Sequence, residues 1–252
     1  MNRRHRLTTF LTLVGAGGLA LLLVALPAAA GSCPPCEAFD RFDKQVRDGN
    51  LARETAQRQF ADLLAGIDAF LVRAGMPEFG PERWVLPLRG YNLAETGADA
   101  AIGYIANGYD YFDGNRHGGH PSFDLFIHDR NQDTLDDATG KPVEVVALTG
   151  GIVVAAEAAW EAGSLLRGGK YLWVYDPANR LLVYYAHHRD LLVEVGDRVV
   201  PGTPLATVGR SGVNAARKRS PTHLHLTFLR IRDGRPMPEN LLRQLRTLRT
   251  LP

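Results

Sequence analysis

Residues 171–187 read YLWVYDPANRLLVYYAH. The two runs from Tyr171 to Tyr175 and from Leu181 to His187 are rich in Val, Leu and Tyr. Asp176-Pro177-Ala178-Asn179 between them is turn chemistry, so the stretch predicts a β-hairpin. Similar short runs, Gly151 to Ala155 and His223 to Ile231, lie on either side, and no long helical pattern separates any of them. Parallel strands need long crossover connections, usually helical, so short runs joined by turns predict a mainly β, antiparallel domain. Upstream the rhythm differs. Ala56, Phe60, Leu63, Leu64, Ile67, Phe70 and Leu71 recur at spacings of three and four, which predicts a long amphipathic helix. A shorter helix over Glu37 to Arg47 precedes it, with Asp48-Gly49-Asn50 as the break and residues 76–81 as the stop. At the other end, Leu241, Leu242, Leu245 and Leu248 share one face and predict a C-terminal helix over 238–250.

The chain has 252 residues, net charge +2, 45% hydrophobic and 22% charged residues, and two cysteines. That composition belongs to a folded globular protein and excludes a disulfide-stapled scaffold. The near-neutral charge argues against nucleic acid as a partner, because phosphate binding needs a dense basic face. Arg3, Arg4 and Arg6 precede an apolar run from Leu7 to Leu26 that ends in Pro27-Ala28-Ala29-Ala30, the layout of a signal peptide. The run is also long enough for an uncleaved anchor, and either way the remainder is exported to the periplasm or envelope. Ala30-Gly31-Ser32-Cys33 resembles a lipoprotein cleavage site, which makes a lipidated Cys33 one possible membrane tether; the competing reading of Cys33-Pro34-Pro35-Cys36 is a local disulfide in an oxidising compartment. The organisation expected is therefore an export segment over 1–30, a helical spacer or hairpin over 31–80, a β domain over 84–232 and a tail over 233–252.

Six of the eight histidines fall in three tight groups: His117 and His120, His187 and His188, His223 and His225. In Thr222-His223-Leu224-His225-Leu226 the strand alternation puts both imidazoles on one face and both leucines on the other. His120 and Asp124 form a second element, four residues apart. Two histidines and one carboxylate are a common protein set for catalytic zinc, leaving a fourth position for water. Tyr184-Tyr185-Ala186-His187 is the third element, and alternation places His187 on the same face as Tyr185. Such a site needs a group that moves a proton or stabilises an oxyanion, and histidine serves either purpose near neutral pH.

The order His-x-x-x-Asp, Tyr-Ala-His, then Gly209-Arg210-Ser211-Gly212 ahead of His-Leu-His resembles the LytM/lysostaphin-type zinc endopeptidases, which cut the peptide part of bacterial peptidoglycan. Val195-Gly196-Asp197-Arg198-Val199-Val200-Pro201-Gly202 is similar to a further turn of that family, and the likeness runs from about Val85 to Ile231. The resemblance implies an antiparallel domain of the duplicated hybrid motif type. It also implies one zinc ion held by His120, Asp124 and His225, with His187 and His223 as the catalytic pair. The partners implied are peptidoglycan stem peptides. The alternative function is a non-catalytic module of the same fold that binds peptidoglycan or activates an amidase; inactive members would be expected to lose ligands, and here every ligand position is filled.

Four departures bear on substrate. Ser122 stands where the family usually has Gly. His117 is expected at the rim. The insertion 129–137 carries Asp129, Asn131, Asp133 and Asp137, spaced like the start of a calcium loop, although Thr134 and Gly140 stand where such a loop has its Gly and closing Glu. A second insertion, Ala216 to Ser220, places three cations just before His223.

Overall fold

A computed structural model of the chain describes residues 32–98 and 103–252. The segment expected to direct export, 1–30, lies outside the described residues. Cys33 and Cys36 are joined in a disulfide. Among the described residues no helix is long and apolar enough to cross a membrane.

Helix α1 (Pro34–Arg47) begins three residues earlier than its apolar rhythm suggested. Prolines suit a first turn, whose N–H groups lack helical partners. It buries Cys36, Phe39, Phe42 and Val46 on one face, and with them Asp43. Helix α2 (Arg53–Arg73) buries Ala56, Phe60, Leu64, Ile67 and Leu71. Gly75, in left-handed conformation at φ 60°, ends α2 by letting the Met76 N–H reach back to the Leu71 carbonyl at 3.2 Å.

Ten strands follow: β1 (Ser122–Phe126), β2 (Glu144–Val146), β3 (Gly151–Glu157), β4 (Tyr171–Asp176), β5 (Leu181–Ala186), β6 (His188–Leu191), β7 (Arg198–Val199), β8 (Pro204–Val208), β9 (His223–Arg232) and β10 (Arg235–Pro238). A seven-stranded sheet has the order β1-β9-β5-β4-β3-β7, with β10 also paired to β9, and β2-β8-β6 form a smaller sheet. All of these pairings are antiparallel, as the hairpin at 171–187 predicted.

The large sheet is covered on both faces, which is why β4 and β5 read as unbroken apolar runs rather than alternating ones. Leu172, Val174, Val183, Tyr185, Leu224, Leu226 and Phe228 pack toward the small sheet, with Val145, Leu148 and Leu205 opposite. Ile152, Trp173, Tyr175, Leu182, Leu229 and Ile231 pack toward α1 and α2 on the other face. Phe39, Phe42, Phe60, Tyr111 and Phe112 interlock between them, with ring centroids 5.4 to 6.4 Å apart. The helical pair is thus a third layer of the domain.

The tail departs from expectation. Its helix is one turn, α3 (Leu242–Leu245), which buries Leu245. Beyond it the chain turns extended: the Arg249 and Leu251 carbonyls accept from the Leu86 and Gly90 N–H groups at 3.0 and 2.9 Å. Backbone pairing with the segment leading into the domain has displaced the last turns of the helix.

His188 is fully buried, and neither ring nitrogen has a hydrogen-bond partner. The main chain of Tyr185 and Thr207 lies nearby without good bonding geometry, so burial dominates and pushes the imidazole down to about 4. An unfolded histidine binds its proton near 6.5, so stability is complete above pH 6.5 and is lost as pH falls toward 4, by up to about 3 kcal/mol. Thermal melts of wild type and His188→Leu across pH 7.5 to 4 should therefore diverge in slope, the variant losing less. Parallel curves would remove His188 as the cause.

Candidate functional site

The site grows out of β9 and its neighbours. His223, His225 and Thr227 project from the face opposite Leu224, Leu226 and Phe228. β1 pairs with β9 so that Asp124 sits opposite His225 and Ser122 opposite Thr227. His120 lies just before β1, bridged to Ile105, and its Nδ1 is 2.9 Å from the Gly103 carbonyl. A carbonyl can only accept, so that nitrogen carries the proton and Nε2 is left toward Asp124, 3.5 Å from Oδ1. His225 Nδ1 is 3.1 Å from the same carboxylate oxygen, and its Nε2 is 2.8 Å from the Ser122 hydroxyl. The Ser122 hydroxyl lies in turn 2.6 Å from that of Thr227.

His187 reaches the site by a route that alternation did not foresee. Tyr185 faces the core between the sheets, where its hydroxyl accepts from the Leu148 N–H at 3.0 Å. His187 follows the end of β5 with φ 68°, a left-handed conformation uncommon outside glycine. That twist turns its ring to the opposite face from Tyr185. Its ring centroid lies 4.9 Å from that of His223 and 5.3 Å from that of His225. The Ser211 carbonyl holds its Nδ1 at 2.8 Å. Ser211 Oγ accepts from the Lys170 N–H and donates to the His188 carbonyl, fixing the turn against the end of β5. Gly212, at φ 108°, sits so close that a Cβ there would lie 2.9 Å from His187 Nδ1 and 2.4 Å from the Arg167 carbonyl. The Gly-x-Ser-Gly motif is therefore the seat of His187.

His120, Asp124 and His225 offer ligand atoms that all lie within 4.8 Å of one another, and so do His187, His223 and His225. Atoms bound tetrahedrally at roughly 2.1 Å would sit about 3.4 Å apart, close to the separations about Asp124. Burial pushes Asp124 up, but hydrogen bonds from His120 and then His225 outweigh it and hold the carboxyl well below its usual range. The two histidines respond oppositely. His120 is raised by its hydrogen bond to Asp124, whereas His225 is lowered because burial outweighs the same partner. Burial, with His223 and His225 nearby, keeps His187 well below the ordinary imidazole value. His117 belongs to neither cluster; it lies at the rim, its ring 4.6 Å from Tyr109 and pushed down to about 4 by burial.

These side chains line one cavity of about 290 Å³, with Tyr109, Tyr111, Tyr171, Trp173 and Tyr184 on the walls and Asp43 and Arg47 of α1 at its margin. Sequence reasoning missed Ser122 and Thr227 as supports of His225, and it missed the wall from α1. The alternation Ser122, Asp124 against His225, Thr227 was available as a signal, but only once the strand partner was known.

The oxygen side chains of 129–137 are engaged within their own loop. Asp129 accepts from the Asp133 and Thr134 N–H groups and from the Thr222 hydroxyl, at 3.0, 2.9 and 2.6 Å. Asn131 donates to Asp133 at 2.8 Å, and Asp137 accepts from the Arg130 N–H at 3.2 Å. Its oxygens close the loop on its own backbone, and neither ligand cluster among the described residues includes them. The second insertion is tied down by its main chain: Arg210 donates to the Arg217 and Ser220 carbonyls. Its three cations face solvent.

The family model for Peptidase family M23 matches residues 131–237, a span that holds His187, His223 and His225 and begins after His120 and Asp124. No curated protein matches the chain. Among solved structures, a putative glycyl-glycine endopeptidase LytM from Ruminococcus gnavus is 28% identical, with 44% of each chain covered and a TM-score of 0.36. The catalytic domain of lysostaphin from Staphylococcus simulans is 20% identical, over 52% of this chain and 83% of that one, at TM-score 0.37. A zinc containing peptidase from Vibrio cholerae is 19% identical, over 54% of this chain and 32% of that one, at TM-score 0.33. The chain spans less than half the length of the first of these. The part of the chain that carries His187, His223 and His225 is thus similar to Peptidase family M23.

Proposed function

We propose that this chain is a zinc-dependent endopeptidase that hydrolyses peptide cross-links of peptidoglycan in the bacterial envelope. The observation that carries the reading is the convergence of His120 Nε2, Asp124 Oδ1 and His225 Nδ1 beside two further imidazoles in one cavity. An oxidising compartment is consistent with the Cys33–Cys36 disulfide.

His120, Asp124 and His225 are the residues that would hold the metal. Bound zinc supplies Lewis acidity toward water and the scissile carbonyl. The Ser122 hydroxyl and the Gly103 carbonyl fix the ring orientations of His225 and His120, a supporting role that ligand histidines generally require. His187 and His223 act on protons. Each has its Nδ1 against a carbonyl, Ser211 at 2.8 Å and Pro221 at 2.7 Å, so each carries its proton there and presents a lone pair at Nε2. One of the pair takes the proton from the attacking water, and the amide nitrogen must receive a proton before it leaves. The imidazole that has taken the proton is then charged, so it steadies the oxyanion and can pass that same proton to the amide nitrogen.

Incubation of the purified protein with peptidoglycan sacculi, with chelator and then with zinc restored, tests the reading through mass analysis of released muropeptides. Chelator-sensitive release is expected; its absence would favour a module that only binds peptidoglycan or activates an amidase.

The roles separate by mutation. His225→Ala should lose both zinc and turnover, whereas His223→Ala should retain most zinc and lose about 10²- to 10⁴-fold in rate. Equal zinc loss in the two variants, measured by metal analysis, would overturn the division. Ser122→Ala should weaken zinc binding by about 10- to 100-fold in a competition titration while leaving the fold intact. An unchanged affinity would mean that the hydroxyl does not orient His225.

A further inference from the structure

At the margin of the cavity, Asp43 of α1 is 4% exposed, and its two oxygens accept from the Tyr111 and Tyr171 hydroxyls at 2.8 and 2.7 Å. Those two bonds fasten the helix to the sheet, but they do not neutralise the carboxylate. Among the described residues Asp43 has no ion pair. Of the cations of α1, Arg41 is exposed, Lys44 pairs with Asp40 at 2.8 Å, and Arg47 pairs with Glu157 and Asp48, each at 2.8 Å, so that its charge only partly offsets that of Asp43. Arg47 reaches Tyr171 Oη only at 3.4 Å. On the other side Arg167 donates to the carbonyls of Asn115 and His117.

Each oxygen of Asp43 keeps a lone pair beyond the one its tyrosine uses. Burial pushes the carboxyl up to about 6, so near neutral pH it carries a charge that its surroundings solvate poorly. The walls around it are aromatic. Tyr171 and Trp173 pack on Tyr184 with centroids 5.2 and 4.5 Å apart, and Tyr184 stands edge-on to His225 at 6.0 Å. A desolvated carboxylate beside aromatic faces is the environment that favours an organic ammonium, through charge-assisted hydrogen bonds and the ring quadrupoles. The same cavity continues to His225, so a group held there belongs to a molecule lying across the histidines.

We infer that Asp43, with Tyr171 and Trp173 as walls, is a specificity subsite for a free primary ammonium on the peptide substrate, placed beside the hydrolytic centre by the N-terminal helix. The inference rests on the peptidase reading above. It makes α1 part of the substrate site, and it assigns the helical layer a role beyond covering the sheet.

The test compares native sacculi with sacculi whose amino groups have been acetylated, using the full zinc-loaded protein and measuring initial rates of muropeptide release. Wild type should cleave the native material faster by about tenfold or more, the effect of losing one charge-assisted hydrogen bond. Asp43→Asn, which keeps the shape, should bring the two rates to within about twofold of each other. Asp43→Glu, which moves the carboxylate without removing it, should give a preference between the two. Equal rates for the two substrates with wild type would overturn the subsite without any variant, and so would a preference that survives in Asp43→Asn. Absence of chelator-sensitive release from native sacculi would instead overturn the peptidase reading, and the subsite with it.

Discussion

β1 and β9 pair antiparallel with Asp124 opposite His225, and the rest of the cleft depends on that register. Side chains on a strand alternate with period two, so a slip of one residue would send Asp124 into the core and bring Leu125 or Phe123 to the cleft. What prevents the slip is the other face. Phe123 and Leu125 on β1, with Leu224, Leu226 and Phe228 on β9, are buried against the small sheet. Each large apolar side chain buried there contributes roughly 1.5–3 kcal/mol, so turning that row to solvent would cost more than any polar contact in the cleft could return. The hydrophobic face thus fixes the polar one, and the carboxylate meets its histidines because leucines and phenylalanines on the reverse side have nowhere else to go.

The second constraint is local and runs against the first. His187 would belong to the buried face if β5 continued, because Val183 and Tyr185 do. Its positive φ breaks the alternation just past the strand's last residue, and such conformations persist only where the surroundings over-determine them. Here the surroundings are the Ser211 carbonyl, the Ser211 hydroxyl on the His188 carbonyl, and Gly212, where no side chain would fit. One imidazole is delivered by pattern and another by departure from pattern.

That difference explains what was legible beforehand. The placement of His223 and His225 on one face follows from Thr222-His223-Leu224-His225-Leu226 alone, because period-two alternation is a property of the strand. The hairpin at 171–187 followed from its turn residues. His187 reached its position for a reason that alternation missed, since its orientation depends on a turn at 209–212 that is remote in sequence. The single-turn α3 was hidden for a similar reason: leucines at helical spacing compete with backbone pairing to 85–90, and only the folded arrangement decides between them. The loop at 129–137 has oxygen side chains at the spacing of a cation site, but spacing does not distinguish a ring of ligands from a ring of acceptors for the loop's own N–H groups.

The helical layer follows from the sheet being apolar on both faces. Ile152, Trp173, Tyr175, Leu182, Leu229 and Ile231 would form a large exposed patch without it, and Phe39, Phe42 and Phe60 supply the matching surface. The sequence left open whether residues 31–80 pack on the domain or space it from a membrane; the sheet's second apolar face requires packing. A layer that covers this face cannot stop cleanly at the edge of the cleft, because the strand that carries Tyr171 and Trp173 into the core pairs directly with the strand carrying Tyr184 toward His225. Covering one end of the face therefore walls the other. Asp43 lies where the two roles meet: buried among core residues on its own helix, and hydrogen-bonded to tyrosines that line the cavity.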